Sequence, residues 1–219
     1  MDINIYKNGW NEINAYIFGW IMSDGCLKKE GRNKTSYAIR ICSNDFDIIK
    51  WLHGHMCSGN KIYSQGKGYQ IKYRNKESIE FCMHNCLVER KSLIMQFPNV
   101  PDDYIFHFIR GYFDGDGSII LRKTIYNTYA QVSFTCGSKS FLEKLKEKLQ
   151  EYNIRSQIYE DGRNSNSSCC LRVTKRNDIR MLFSLLYPND FQRYGYLKRK
   201  YIKYLEYMKY DAKYKSHIV

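Results

Sequence analysis

Residues 16–25 read YIFGWIMSDG, and residues 108–117 read FIRGYFDGDG. Each stretch holds a Gly, an acidic residue five positions later, and a second Gly directly after it: Gly19, Asp24 and Gly25, then Gly111, Asp116 and Gly117. The copies begin 92 residues apart. A lone Asp-Gly is an ordinary helix end followed by a turn. A matched pair, each closing an apolar run, implies two related halves that each end a helix on one carboxylate.

The likeness continues beyond the motif. CLKKEGRNKTSYAIRICS and then DFDIIKWLHGHM follow the first copy; SIILRKTIYNTYAQVSFTCGS and then KSFLEKLKEKLQEY follow the second. Tyr37, Ile39 and Ile41 alternate with Ser36, Ala38, Arg40 and Cys42, as Ala130, Val132 and Phe134 alternate with Gln131, Ser133 and Thr135. Period two with one apolar face predicts half-buried antiparallel strands, with turns at Gly31–Asn33 and near Asn127. A second hairpin is expected in each half, at 61–74 and at 156–174, the latter through the polar loop DGRNSNSS. Further helices are expected over 76–87, 92–96, 178–186 and 197–210. Two of the three prolines fall in FPNVPDD, where they oppose a helix. The halves are therefore placed at residues 1–97 and 105–219 around a linker, 98–104. The fold class is α/β in the α+β sense: two pseudo-symmetric αββαββα halves, helices covering one face of each antiparallel sheet. The other faces form an open, basic saddle.

Lys and Arg number 35 against 22 acidic residues, a formal charge of +13. That balance favours a polyanion as partner. No run of 18 apolar residues exists and the N-terminus lacks a signal-peptide core, which argues against a membrane or secreted protein. Eight scattered Cys without a secretion signal predict reduced thiols in an intracellular setting. His53, His55, Cys57, Cys82, His84 and Cys86 lack paired zinc spacing and read as ordinary buried or surface groups.

Gly19 and Gly111 remove side chains mid-helix, at a cost of about 1 kcal/mol each relative to Ala. That is useful where two helix backbones meet. Packing the motif helices on each other brings Asp24 and Asp116 side by side. Such carboxylates repel without a cation, and an all-oxygen site suits Mg²⁺, with Mn²⁺ able to substitute. The chemistry expected is metal-dependent phosphodiester cleavage.

The two motifs resemble LAGLIDADG, and over residues 12–210 the chain is similar to single-chain LAGLIDADG homing endonucleases; FPNVPDDYIFHFIRGYFDGDGS resembles bacterial, phage and organellar members. The resemblance implies that Asp24 and Asp116, with the adjoining Gly25 and Gly117, form the metal centre. It also implies double-strand cleavage of a long DNA site across the minor groove, with short 3′ overhangs. Family members set a lysine near each scissile phosphate; Lys91 and Lys200 fill those places, with Lys198 competing for the second. Asp45 and Ser138 correspond to polar groups that organise water. Met22 stands in motif 1 where motif 2 has Asp114, which reads as a local structural or solvated group.

A β-ribbon can enter the major groove. A strand rises about 3.3 Å per residue, close to the roughly 3.4 Å step of one DNA strand. The outward candidates in the first half are Lys28, Ser36, Arg40, Lys61, Tyr63, Gln65, Gln70, Lys72 and Arg74. In the second they are Ile120, Arg122, Gln131, Ser133, Thr135, Gln157, Tyr159, Arg172 and Thr174. The sets differ, so the target is expected to be asymmetric. The tail, 193–215, carries eight basic and two acidic residues, with Ile202, Leu205 and Met208 expected on its packed face.

The leading expectation is a monomeric, site-specific, Mg²⁺-dependent endonuclease on double-stranded DNA, promoting the mobility of an intron or intervening sequence. The sequence shows no N-terminal Cys or Ser nucleophile and no terminal His-Asn, which favours a free-standing or intron-encoded enzyme over an intein. An RNA-splicing maturase or a non-cleaving DNA-binding regulator on the same fold are the alternatives. Both acids are present, and neither alternative needs them.

Overall fold

The computed structural model describes residues 2–33, 35–123, 128–161 and 168–215. The expected turn near Asn127 and most of the loop DGRNSNSS lie outside these residues.

The first half runs α1 (Glu12–Ser23), β1 (Gly25–Glu30), β2 (Ser36–Ser43), α2 (Phe46–Met56), β3 (Tyr63–Gln65), β4 (Gly68–Tyr73) and α3 (Lys76–His84). The second repeats it as α4 (Ile105–Asp116), β5 (Gly117–Lys123), β6 (Thr128–Cys136), α5 (Lys139–Glu151), β7 (Gln157–Asp161), β8 (Ser168–Val173) and α6 (Arg176–Leu186), and adds α7 (Lys198–Lys215). The fold is α+β, with two antiparallel sheets in matching orders, β1-β2-β4-β3 and β5-β6-β8-β7.

Asn11 caps α1 in a reciprocal capping box with Asn14, Asn75 caps α3 and Ser138 caps α5; each side chain accepts from a backbone N–H three residues on. α2 and α3 cover the first sheet, and α5, α6 and α7 the second. The register pairs Leu27 with Ile39, Ile39 with Tyr73 and Ile41 with Ile71, and in the second half Ile119 with Val132 and Phe134 with Leu171. Those residues are buried and belong to one continuous core that spans both halves. Linker residue Phe97 packs between Phe108 and Phe141, at 5.6 and 5.3 Å between ring centroids.

Three expected helices differ from those observed. Residues 92–96 form no α-helix; Lys91–Leu93 is a single 3-10 turn entered through Arg90 at φ 55°. The helix from Lys76 stops at His84, and Cys86 takes a left-handed φ of 73°. In α7 the packed face is aromatic, Tyr204 stacking on Phe183 at 4.3 Å and Tyr207 buried, whereas Ile202 and Leu205 are exposed. The larger rings match the aromatic floor of Phe183 and Tyr187 and displace the aliphatic residues outward.

Candidate active site

α1 and α4 make the most extensive helix contact of the fold. A Cβ on Gly19 would stand 2.2 Å from the Phe108 carbonyl oxygen, and one on Gly111 2.1 Å from the Tyr16 carbonyl oxygen. Only hydrogen fits at either point. Gly115, which the sequence reading did not single out, closes the same contact: its Cβ would lie 1.9 Å from Ser23 Oγ and 2.8 Å from Asp24 Oδ2. Asp24 therefore lies against the end of the opposite motif, beside Asp116.

Both acids are exposed residues at the ends of their helices. Burial within the surrounding protein and the neighbouring Asp116 push the Asp24 carboxyl up to about 6, against the pull of Lys200, Lys91 and Arg199. Burial raises Asp116 as well, with Lys91 and Lys200 opposing. A pair held this close in protein favours a proton or a cation. Gly25 and Gly117 are sterically required where each chain turns into a strand: a Cβ would stand 2.3 Å from the Ile21 carbonyl oxygen and 2.2 Å from the Phe113 ring.

Lys91 and Lys200 are both buried, and each ammonium caps a motif end. Lys91 Nζ donates to the carbonyls of Ser23, at 3.1 Å, and Gly25. Lys200 Nζ donates to the carbonyls of Phe113, Asp114 and Gly115, the last two at 2.7 and 3.2 Å. Ser23, Asp114 and Gly115 lie in the last turns of α1 and α4, where a helix leaves carbonyls unpaired, while Phe113 also accepts from the Gly117 N–H and Gly25 opens β1. Burial lowers both lysines, Lys200 to about 8, while Asp24 and Asp116 oppose the shift. Of the two lysines competing in the tail, Lys200 is the buried one and Lys198 is exposed.

Asp114 is wholly buried. Its Oδ2 accepts from Tyr16 Oη at 2.8 Å and from the Leu197 N–H at 2.7 Å. Arg110, also inaccessible, stacks 5.1 Å from the Tyr16 ring and donates to the carbonyls of Gly195 and Leu186, both at 3.0 Å. The group is structural, tying motif 2 to the approach to α7; a solvated role is ruled out by its burial.

Ser138 is buried, donating to the Met95 carbonyl at 2.6 Å and accepting from Phe141 N–H at 3.4 Å, so its hydroxyl is engaged in packing rather than turned to a solvent site. Asp45 pairs with Arg199 at 2.9 Å. A cleft of about 420 Å³ beside these groups is lined by Asp24, Gly115, Asp45, Arg199, Gln65 and Cys42. Arg199 was not singled out from sequence; in RYGYLKRK nothing but the helical phase of α7 distinguishes it from its basic neighbours.

Among the described residues, no group of three or more His, Cys, Asp or Glu side chains is placed to hold a metal. Asp24 and Asp116 offer only oxygen, which fits a hard divalent cation whose remaining positions are filled by water and phosphate. The residues weighed for zinc have other partners: His53 and His55 contact the carbonyls of Asn60 and Trp51, at 2.7 and 2.8 Å, and Cys57 and Cys82 are buried thiols pushed up to about 12 by burial.

The open sheet faces carry the residues expected there. Arg40 pairs with Lys72, Cys42 with Gln70, and Tyr63 with Gln70, all on the face opposite the core; Lys28, Ser36, Gln65 and Arg74 alternate to the same side. Lys61 is exposed but precedes β3. In the second sheet Ile120 pairs with Gln131, Ser133 and Gln157 with Arg172, and Tyr159 and Thr135 with Cys170. Arg122 and Thr174 share that face by alternation. Ser133 is nearly inaccessible and accepts from Gln131 at 3.3 Å. Arg172 stacks 4.4 Å from the Tyr159 ring. One residue on the first face went unremarked in the sequence: Glu30, which binds Arg40, Lys72 and Arg74 together.

Residues 103–186 match the family model of the LAGLIDADG-like domain. A curated relative, a probable translation initiation factor IF-2 of Methanocaldococcus jannaschii, is 27% identical over 163 residues, 70% of this chain; the match spans only 13% of that protein. Among solved structures, the LAGLIDADG homing endonuclease I-GzeII in complex with its DNA target superposes with a TM-score of 0.63 at 13% identity, covering 95% of this chain and 93% of that one. I-DmoI in complex with DNA and manganese gives 0.59 at 18% identity, covering 81% of this chain and 98% of that one. At these identities the structural likeness carries the fold.

Proposed function

From a chain with the LAGLIDADG homing endonuclease fold and a LAGLIDADG-like second half, we propose that it is a monomeric, site-specific DNA endonuclease dependent on Mg²⁺, with Mn²⁺ able to substitute. The observation that carries this reading is the pair of exposed carboxylates, Asp24 and Asp116, at helix ends locked together by Gly19 and Gly111. A divalent cation bound by them would supply Lewis-acid charge and lower the pKa of a coordinated water.

The chain's own residues do the rest. Lys91 and Lys200 hold the two motif ends rigid through their terminal carbonyls and set positive charge beside the scissile phosphate as bond breaking builds charge on the leaving 3′-oxygen. Arg199, held by Asp45 in the cleft beside Asp24, adds a phosphate contact. The first sheet supplies Lys28, Arg40, Lys72 and Arg74, and the second Arg122 and Arg172, for phosphates and guanine edges; Gln65, Gln70, Gln131 and Gln157 suit adenine. The two sets differ, so the target is asymmetric.

The biological role is mobility of an intervening sequence. The match to a short segment of a much longer translation factor favours an element inserted within a coding frame, an in-frame protein insert alongside the intron-encoded reading.

Cleavage selection on a random duplex library with Mg²⁺, run beside an Asp24→Asn, Asp116→Asn double variant, tests the reading. One long asymmetric site, cut on both strands by the unaltered protein alone, is expected. Equal results from the two proteins, or no enriched site, would overturn it and turn attention to RNA binding.

A further inference from the structure

Glu30 is a carboxylate in the middle of a surface otherwise built for a polyanion. It sits at the end of β1, paired with Ser36, on the open face of the first sheet. Its Oε1 meets Arg40 Nη2 at 2.9 Å and Lys72 Nζ, and its Oε2 meets Arg74 Nε at 3.0 Å. The partners lie on β2 and at β4, so the side chain reaches across the middle strand. The strand between permits this because Ala38, on the same face, is small and wholly inaccessible. The Glu30 side chain is only 15% exposed although its face is open.

We propose that Glu30 is a specificity-determining residue of the first half: it fixes the directions of Arg40, Lys72 and Arg74 and subtracts one charge from their combined pull on phosphate. The proposal rests on the reading of this face as a DNA surface. Three free cations on a flat face would bind any duplex, since phosphate attraction carries no sequence information. Held as a fork on one carboxylate, they present defined donors and a lower net charge, so binding gains more from base edges and less from the backbone. The hydrogen bonds from Lys72, Arg40 and Arg74 overcome the cost of burial and hold the Glu30 carboxyl down at about 2, so the negative charge is present wherever the protein works.

The experiment measures affinity for a random-sequence 30-base-pair duplex as a function of salt, for the unaltered protein, Glu30→Gln, and Glu30→Gln combined with Arg74→Gln. Glu30→Gln is expected to bind several-fold more tightly at low salt, with a salt slope steeper by about 0.9 for each phosphate newly engaged. The double variant, with the original net charge, is expected to return to the original slope. A purely structural carboxylate would instead weaken binding on removal, and the second change would not restore it. An unchanged or weakened affinity for Glu30→Gln, in a protein that itself binds the duplex with a clear salt dependence, overturns the role given to Glu30 alone. Absence of salt-dependent duplex binding by the unaltered protein overturns the DNA-surface reading, and this proposal with it.

Discussion

The two halves share one topology and differ in where they spend their charge. In the first, motif 1 is apolar to its last turn, with Met22 inaccessible, and the ionic cluster lies out on the sheet around Glu30. In the second, besides the buried lysine that caps each motif, charge lies inside, where Asp114 and Arg110 tie motif 2 to the approach to α7. Its open sheet face carries exposed Ile120, Tyr129 and Tyr159 with two arginines, Arg122 and Arg172. The pseudo-twofold therefore holds for backbone and for the two acids, while the surroundings have diverged. What the proposed cleavage centre would require twice, one carboxylate per motif, is present twice. What each half-site reads, and how each half is braced, is free to differ.

The largest expected effect tests the symmetric part. Asp24→Asn and Asp116→Asn, each alone, are expected to lower Mg²⁺-dependent double-strand cleavage by about a thousandfold or more, since each removes a charge from a two-carboxylate site. Random-duplex affinity should stay within a few-fold. Full double-strand cleavage by either single variant would break the equivalence of the halves at their shared centre.

Next comes the helix contact that holds the acids together. Gly19→Ala and Gly111→Ala each drive a methyl into backbone atoms at 2.2 and 2.1 Å. Each is expected to cost about 3 kcal/mol, at the upper end of overpacking, because backbone cannot yield as a side chain does. Denaturant midpoints check this, and similar losses at the two positions would support a true pseudo-twofold contact.

The positions that follow the symmetry in sequence but not in chemistry, Met22 and Asp114, should separate. Met22→Leu conserves volume and is expected to cost under about 1.5 kcal/mol. Asp114→Met, which copies motif 1 into motif 2, leaves the Leu197 N–H and Tyr16 Oη without their acceptor and is expected to cost about 3 kcal/mol. Equal costs would show that the network around Asp114 is dispensable to the second half.

Much of this was legible in the chain. The repeated Gly and Asp spacing and the period-two strands are local signals; the first led to the paired motif helices and the second to the observed strands and their correct sheet face. Ser138 and the tail were not legible in the same way. Ser138 and Asp45 occupy equivalent positions at strand ends, yet only tertiary packing turns one hydroxyl onto Met95 and the other carboxylate onto Arg199. In α7 the aliphatic stripe of Ile202 and Leu205 competed with a tyrosine stripe, and the aromatic floor on α6 decided between them. Glu30 was passed over because its neighbours in sequence, Lys28, Lys29 and Arg32, suggest an ordinary charged turn; its partners are ten and more than forty residues away.

The smallest effect sharpens the contrast between the sheet faces. Glu30 has a carboxyl held at about 2, below its ordinary 4.5, by Lys72, Arg40 and Arg74 against the cost of burial. A carboxyl depressed on folding contributes stability above its unfolded value and loses it as pH falls through the folded one. Arg40 and Arg74 are a third to a half exposed and Lys72 is less so, and solvent screening reduces the contribution to on the order of 1 kcal/mol. Glu30→Gln is therefore expected to be less stable than the unaltered protein near pH 7, with the gap closing as pH falls from about 4.5 towards 2. The second half has an acid on a strand too, Glu160, paired with Lys139, but both are more than half exposed. Glu160→Gln is expected to leave the denaturation midpoint unmoved at either pH. Parallel pH series on the two variants would locate the ionic bracing of the sheets in the first half alone, and matching curves would return the halves to symmetry.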